Sequence, residues 1–456
     1  MSDPREAINN PLLPGEERLA ALGKWHSQNS AGNAVTNNAD GEINNHIHTI
    51  FSYSPYTPAM AALRAREAGL VAAGSVDHDS EAAASEMIAA CAILGIGGCS
   101  GFELRVDFSQ GPNGAFFAER KLNNPDSAGC AYITIQGIPS TELKKTAAFL
   151  KPLREARLQR SRTMIGNANV ILKEAGLESI DFENDIILKS QYNNGGGITE
   201  RHLMAAFAEK IINRFNRGPD LPEALKKLFA VDPGPKLATL LSDRDNPHYL
   251  YDLLGVLKMG LLPRFFIQPG KNECIRAEAA VNFALSINAI PAYSYLGDVG
   301  ESPTGDKKAE KFEDDFLDEL FEEVKSLGFL AITYMPPRNT ADQIKRIQRF
   351  CTEGNFMEIS GVDINSSRQS FNCPEVLSPG CRHLLDTTWA LIAHERIASA
   401  DSKWGLFSAD NPLNSLSLQK RIILYAEAGK MLDLHNPQDS VPNIMEKIRK
   451  GNIQHK

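Results

Sequence analysis

The 456 residues exceed the usual single domain and 43% of them are hydrophobic, so a large α/β barrel carrying an insertion, or two to three domains, is expected. A net charge of −8 argues against a broad nucleic-acid-binding surface and for an acidic soluble protein. Seven cysteines without a Cys-x-x-Cys pair read as reduced, mostly buried thiols, and with no apolar leader and no membrane-length stretch the cytoplasm is the expected location, with no membrane partner.

In chain order, residues 1–40 read as a peripheral extension with one amphipathic helix over Leu12–Trp25 and an Asn/Ala/Gly-rich loop after it. Ile43–His48 is the first expected strand. Alternate residues of a strand share a face, so His46 and His48 point the same way, and two adjacent imidazoles begin a divalent metal site. A pair of surface histidines is the plain alternative. Pro58 opens a helix closed by Gly69. Leu70–Val76 is the second strand, with Asp77-His78-Asp79 directly behind it. An Ala-rich helix over 81–94, a Gly-rich turn, a strand ending near Glu103 and a strand over Ala131–Gln136 follow. The strand–helix–strand alternation predicts parallel βα units, in which chemistry collects at the carboxyl ends of the strands.

From 141 to 263 helical patterns dominate, with charge-rich segments at 141–163 and 205–230, which predicts a mostly helical insertion. Beyond it the alternation resumes over 264–410. The expected elements there are a helix over Asn272–Ala289 and a strand over Ile290–Tyr295. An acidic helix over 307–327 follows, then a strand over Phe329–Tyr334. Next come a Thr340/Gln343-capped helix and a strand over Phe356–Val362 ending at Asp363. The remainder, 411–456, reads as helical.

The blocks His46-Ile47-His48-Thr49-Ile50-Phe51-Ser52, Glu67-Ala68-Gly69-Leu70, Val76-Asp77-His78-Asp79 and Gly101-Phe102-Glu103 stand in fixed order over about sixty residues. Together they resemble the polymerase and histidinol phosphatase (PHP) superfamily of metal-dependent phosphoesterases. Looser matches follow at Ile198–Ala206 and Ser360–Asn365. The resemblance implies a distorted, TIM-like (βα)7 barrel with up to three metals. The chain departs from that pattern at Tyr53, Thr134, Tyr295 and Asn365, where further ligands would stand. One set survives, His46, His48, Glu103 and Asp363. Two imidazoles and two carboxylates suit one zinc, manganese or iron(II) ion.

The expected activity is hydrolysis of a small phosphorylated metabolite or nucleotide, with His78 or Asp77 moving a proton. Arg338, at a strand exit before a helix start, and Arg201 with His202, behind the Gly195–Gly197 run, are the candidate phosphate contacts. Lys271 and Arg368 are weaker additions. The glycine run lacks the Gly-Lys-Ser/Thr ending of a phosphate loop. A metal-dependent hydrolase of another ester, amide or lactone is an open alternative, as is a non-catalytic ligand-binding or regulatory barrel. The acidic charge disfavours service to a DNA polymerase, and nothing in the sequence sets the oligomeric state.

Overall fold

A computed structural model describes residues 3–29, 39–299 and 310–451. Its centre is one curled sheet of eight strands: β1 (Ile43–Ile47), β2 (Ala72–His78), β3 (Gly97–Asp107), β4 (Cys130–Gln136), β5 (Ile275–Arg276), β6 (Ile290–Ser294), β7 (Ala331–Tyr334) and β8 (Met357–Ser360). They follow the order β1-β2-β3-β4-β6-β7-β8, with the two-residue β5 flanking β3. The strands are buried almost throughout, because helices cover the outside of the sheet. The result is an α/β, TIM-like barrel of seven strands that is nearly closed.

Closure falls between β8 and β1, and side chains complete it. Asn44 accepts a hydrogen bond from Val362 N and donates one to Val362 O, both 3.0 Å. Asn45 Nδ2 donates to Ser360 O at 3.0 Å. Past Asp363 the backbones meet directly, with His48 N donating to Ile364 O at 2.9 Å and Ile364 N to His46 O at 3.1 Å. A Cβ on Gly361 would lie 2.5 Å from His46 Cβ, so only glycine allows this approach. Asn44 and Asn45 of β1 thus mark the seam that brings Asp363 beside His48.

Two expectations need correction. The strands are not all parallel. β4 runs antiparallel to both neighbours, β3 and β6, while the other pairs of the main path are parallel. The segment between β3 and β4 holds only the four-residue helix Gly114–Phe117, and Phe108 N bonds Gly129 O at 2.8 Å. The chain therefore folds back as a hairpin rather than crossing over. β3 accordingly continues four residues beyond Glu103, to Asp107. The second correction concerns helix starts. The helix expected over 272–289 begins at Ala277, because Ile275 and Arg276 pair with β3. The acidic helix expected from 307 begins at Leu317. Residues 307–309 lie outside the described residues, and Glu313 and Asp314 are used as acceptors by Leu296 N and Asp298 N.

Because β4 is reversed, it ends away from the carboxyl ends of β1–β3. The 32-residue helix Leu143–Glu174 follows; at 1.5 Å per residue it is about 48 Å long. Leu150 and Leu153 join the barrel core, whereas Leu158 to Leu172 join a second core built from residues between 158 and 265. The helices of 141–263 therefore pack around an apolar centre of their own. No helix among the described residues is long and apolar enough to cross a membrane.

Candidate metal centre

Register places the candidate ligands. His78, the last residue of β2, pairs with Glu103 of β3, so their side chains leave the same face. His46 and His48 come from the end of β1, and Asp363 from the loop beyond β8. One donor atom each from His46, His48 and Glu103 lies within 4.8 Å of the others, and all three residues are buried. Nε2 of His46 is 3.7 Å from Glu103 Oε1, and Nε2 of His48 is 3.9 Å from Glu103 Oε2 and 3.4 Å from Asp363 Oδ1. Asp363 adjoins this trio on the side of His48.

These separations fit a shared cation better than hydrogen bonds. At 3.7–3.9 Å the pairs are too far apart to bond one another. Ligand atoms about 2.1 Å from one tetrahedral ion stand about 3.4 Å apart. Nδ1 of His78 lies 2.9 Å from Glu103 Oε2, yet is not aligned to bond it and has no other partner. A buried orphan of this kind at the edge of a donor cluster is what a cation site contains. Burial pushes the His48 and His78 imidazoles down to about 3, which leaves them neutral with lone pairs available. Burial would raise Asp363, but His48, His46 and Arg201 bring it down to about 2. The two carboxylates provide the negative charge that a divalent ion would neutralise.

The tautomer of His48 is also set. Asp77 accepts hydrogen bonds from Thr49 N (2.7 Å), Thr49 Oγ1 (2.6 Å) and Ser52 Oγ (2.5 Å). The Ser52 proton being spent on Asp77, its oxygen accepts from His48 Nδ1 at 3.1 Å. Nε2 of His48 is then unprotonated and faces Glu103 and Asp363. Asp77, expected as a proton carrier, instead holds the turn after β1, and burial raises its carboxyl to about 6 against these bonds. Replacing Ser52 with alanine is expected to weaken metal binding by about 10–100-fold, read by chelator competition. A change below about twofold would show that Ser52 does not orient the ligand. The turns after β1 and β2 each contain a non-glycine residue of positive φ, Tyr53 at 69° and Asp79 at 53°, a strain found where surroundings over-determine a site.

The expected anion contacts divide. Arg201 donates to Asn365 O at 2.9 Å and Asn365 Oδ1 at 2.6 Å, and Asn365 Nδ2 donates to Asp363 Oδ1 at 2.7 Å. Arg201 is therefore committed to fixing the Asp363 loop. His202 accepts from Thr199 N at 3.0 Å as part of a helix-capping box, and its ring packs edge-on against Tyr53. Arg368 pairs with Asp252, and Lys271 is exposed. Arg338 alone of the three main candidates retains terminal nitrogens without a hydrogen bond among the described residues; its Nε donates to Leu296 O at 3.3 Å. Burial lowers its guanidinium, against the opposing carboxylates of Glu313 and Asp363. Gly196 and Gly197 serve packing: a Cβ at Gly197 would lie 2.9 Å from His78 O, and one at Gly196 would lie 2.9 Å from Phe51 O.

Tyr53, Thr134, Tyr295 and Asn365 each have partners of their own. Tyr53 packs on His202, and Tyr295 donates its hydroxyl to Asp314 at 2.5 Å. Thr134 Oγ1 accepts from Gln136, and Asn365 bridges Arg201 to Asp363.

Sequence reasoning missed a buried ionic network beside the site. Glu200 accepts from Arg105 (2.9 Å), Arg157 (2.7 Å) and Arg160 (2.8 Å). Glu273 pairs with Arg160 at 2.6 Å and Arg105 at 3.4 Å, and Asp79 pairs with Arg157 at 2.6 Å. Arg105 also reaches the hydroxyl of Tyr132, whose ring stands 5.5 Å from that of His78. The signal was the spacing of Arg154, Arg157 and Arg160 along one face of a helix, within a segment that read only as charge-rich.

No family model matches the sequence, and no curated protein matches it. Solved structures similar in shape include two hydrolase-type proteins. An amidohydrolase from Chromobacterium violaceum, with bound sulfate and no metal, is 18% identical over 76% of this chain and 97% of its own, at a TM-score of 0.49. A candidate metal-dependent phosphoesterase from Bifidobacterium adolescentis is 14% identical over 72% of this chain and 88% of its own, at 0.45. At such identities and scores neither likeness bears on the chemistry, which rests on this chain's own geometry.

Proposed function

We propose that the protein is a metal-dependent hydrolase of a phosphate ester, acting on a small phosphorylated metabolite or nucleotide, and that it is a divergent PHP protein. The observation that carries this reading is the convergence of His46, His48 and Glu103, with Asp363 3.4 Å from His48 and the His48 tautomer fixed by Ser52 and Asp77. A zinc, manganese or iron(II) ion held by these four side chains would supply Lewis acidity at the mouth of the barrel. His78, beside Glu103, would hold or pass a proton. Arg338 would bind and orient a phosphate group. Arg201 acts through Asn365 to hold Asp363 in position.

The test is a release assay with purified protein supplied with Mn²⁺ or Zn²⁺, run over nucleotide and sugar phosphates beside a panel of amides and lactones. Phosphate release that is abolished by chelation is expected. Turnover of amides or lactones alone would keep the hydrolase and discard the phosphoesterase. No turnover with metal bound would leave a ligand-binding barrel.

A further inference from the structure

Cys130 and Cys274 lie 144 positions apart in the chain, yet their sulfurs are 3.4 Å apart. Cys130 is the first residue of β4, and Cys274 directly precedes β5, where the chain returns from the helical insertion. Neither belongs to the metal centre. Cys130 is also the one cysteine of the seven that is not buried; the other six are. We propose that Cys130 and Cys274 form a reversible, peroxide-driven disulfide that clamps the end of the insertion to the barrel.

The geometry assigns the two roles. The Cys274 thiol donates its hydrogen toward the Cys130 sulfur, which favours the thiolate of Cys130. That bond, with the nearby Arg105 guanidinium, lowers the Cys130 thiol against the effects of burial and Asp107. The same hydrogen bond, with burial, raises Cys274. The partly exposed thiolate attacks hydrogen peroxide. A sulfur–oxygen bond forms, the oxygen–oxygen bond breaks, hydroxide leaves, and Cys130 becomes a sulfenic acid. The Cys274 sulfur then attacks that sulfur, the new sulfur–oxygen bond breaks, and water leaves. In sum two thiols and one peroxide give one disulfide and two waters. Closing from 3.4 Å to a disulfide bond of about 2.05 Å requires the sulfurs to approach by roughly 1.4 Å. Residue 273, next in the chain, is the glutamate that pairs with Arg105 and Arg160, so the clamp attaches directly to the ionic network.

The experiment uses the full-length protein exposed to graded hydrogen peroxide, alkylated while folded, and mapped by mass spectrometry of proteolytic peptides. A peptide linking 130 to 274, about 2 Da lighter than the sum of its reduced parts, is expected at doses that leave the other five thiols reduced. A dithiol reductant should remove it. In Cys274→Ser the sulfenic acid on Cys130 should persist and be trapped by a dimedone probe, while in Cys130→Ser position 274 should stay reduced at the same dose. A second readout, thermal unfolding of the oxidised wild type, should show a higher melting temperature that the reductant reverses. Absence of the linked peptide at doses that oxidise other cysteines, or a link between two separate chains, would overturn the proposal.

Discussion

Replacing Glu200 with glutamine is expected to lower the unfolding free energy by about 3–5 kcal/mol, the usual cost of removing one partner from a buried ionic group. Glu200 is 8% exposed and accepts from three guanidinium groups that are themselves buried. The amide keeps the shape but removes the charge, and its NH2 would face donors rather than acceptors. Three arginines would then share Glu273 and Asp79 as their remaining carboxylates. The measurement is urea unfolding, with the midpoint lowered and the slope unchanged. Glu209→Gln is the control, since Glu209 pairs with Lys189 at the surface and its loss should cost less than about 1 kcal/mol. Equal effects of the two changes would show that the network is not what joins the long helix to the barrel rim.

Replacing His48 with alanine is expected to weaken metal binding by more than about 100-fold, beyond the loss typical of an outer-shell change. His48 is 1% exposed, and its Nε2 is the atom that faces both carboxylates. Its removal leaves one imidazole and two carboxylates, one donor short of a four-coordinate set. Chelator competition reads the affinity, and circular dichroism of the metal-free protein should stay unchanged. Metal binding at wild-type strength in this variant would show that the strand pair does not form the site.

The parts of this molecule legible in the sequence are those written in local periodicity. A His-x-His on a strand already places two rings on one face, and Glu103 and Asp363 follow at the same end of neighbouring elements. Strand direction was not legible, because alternation of elements does not say whether a 22-residue connection crosses over or turns back. β4 turned back, and the long helix after it carries Arg157 and Arg160 to the barrel rim. Roles that depend on partners distant in sequence were hidden for the same reason. Arg201 looked available for phosphate until Asn365, 164 positions away, claimed it. Asp77 looked like an acid or base until Thr49 and Ser52 filled its lone pairs.

The central claim is that His46, His48, Glu103 and Asp363 hold one divalent ion. Its most direct test is metal analysis of the purified protein after exposure to zinc or manganese and removal of loosely held ions. About one equivalent per chain is the predicted content, lost in His48→Ala. Wild-type protein that retains no stoichiometric metal would contradict it.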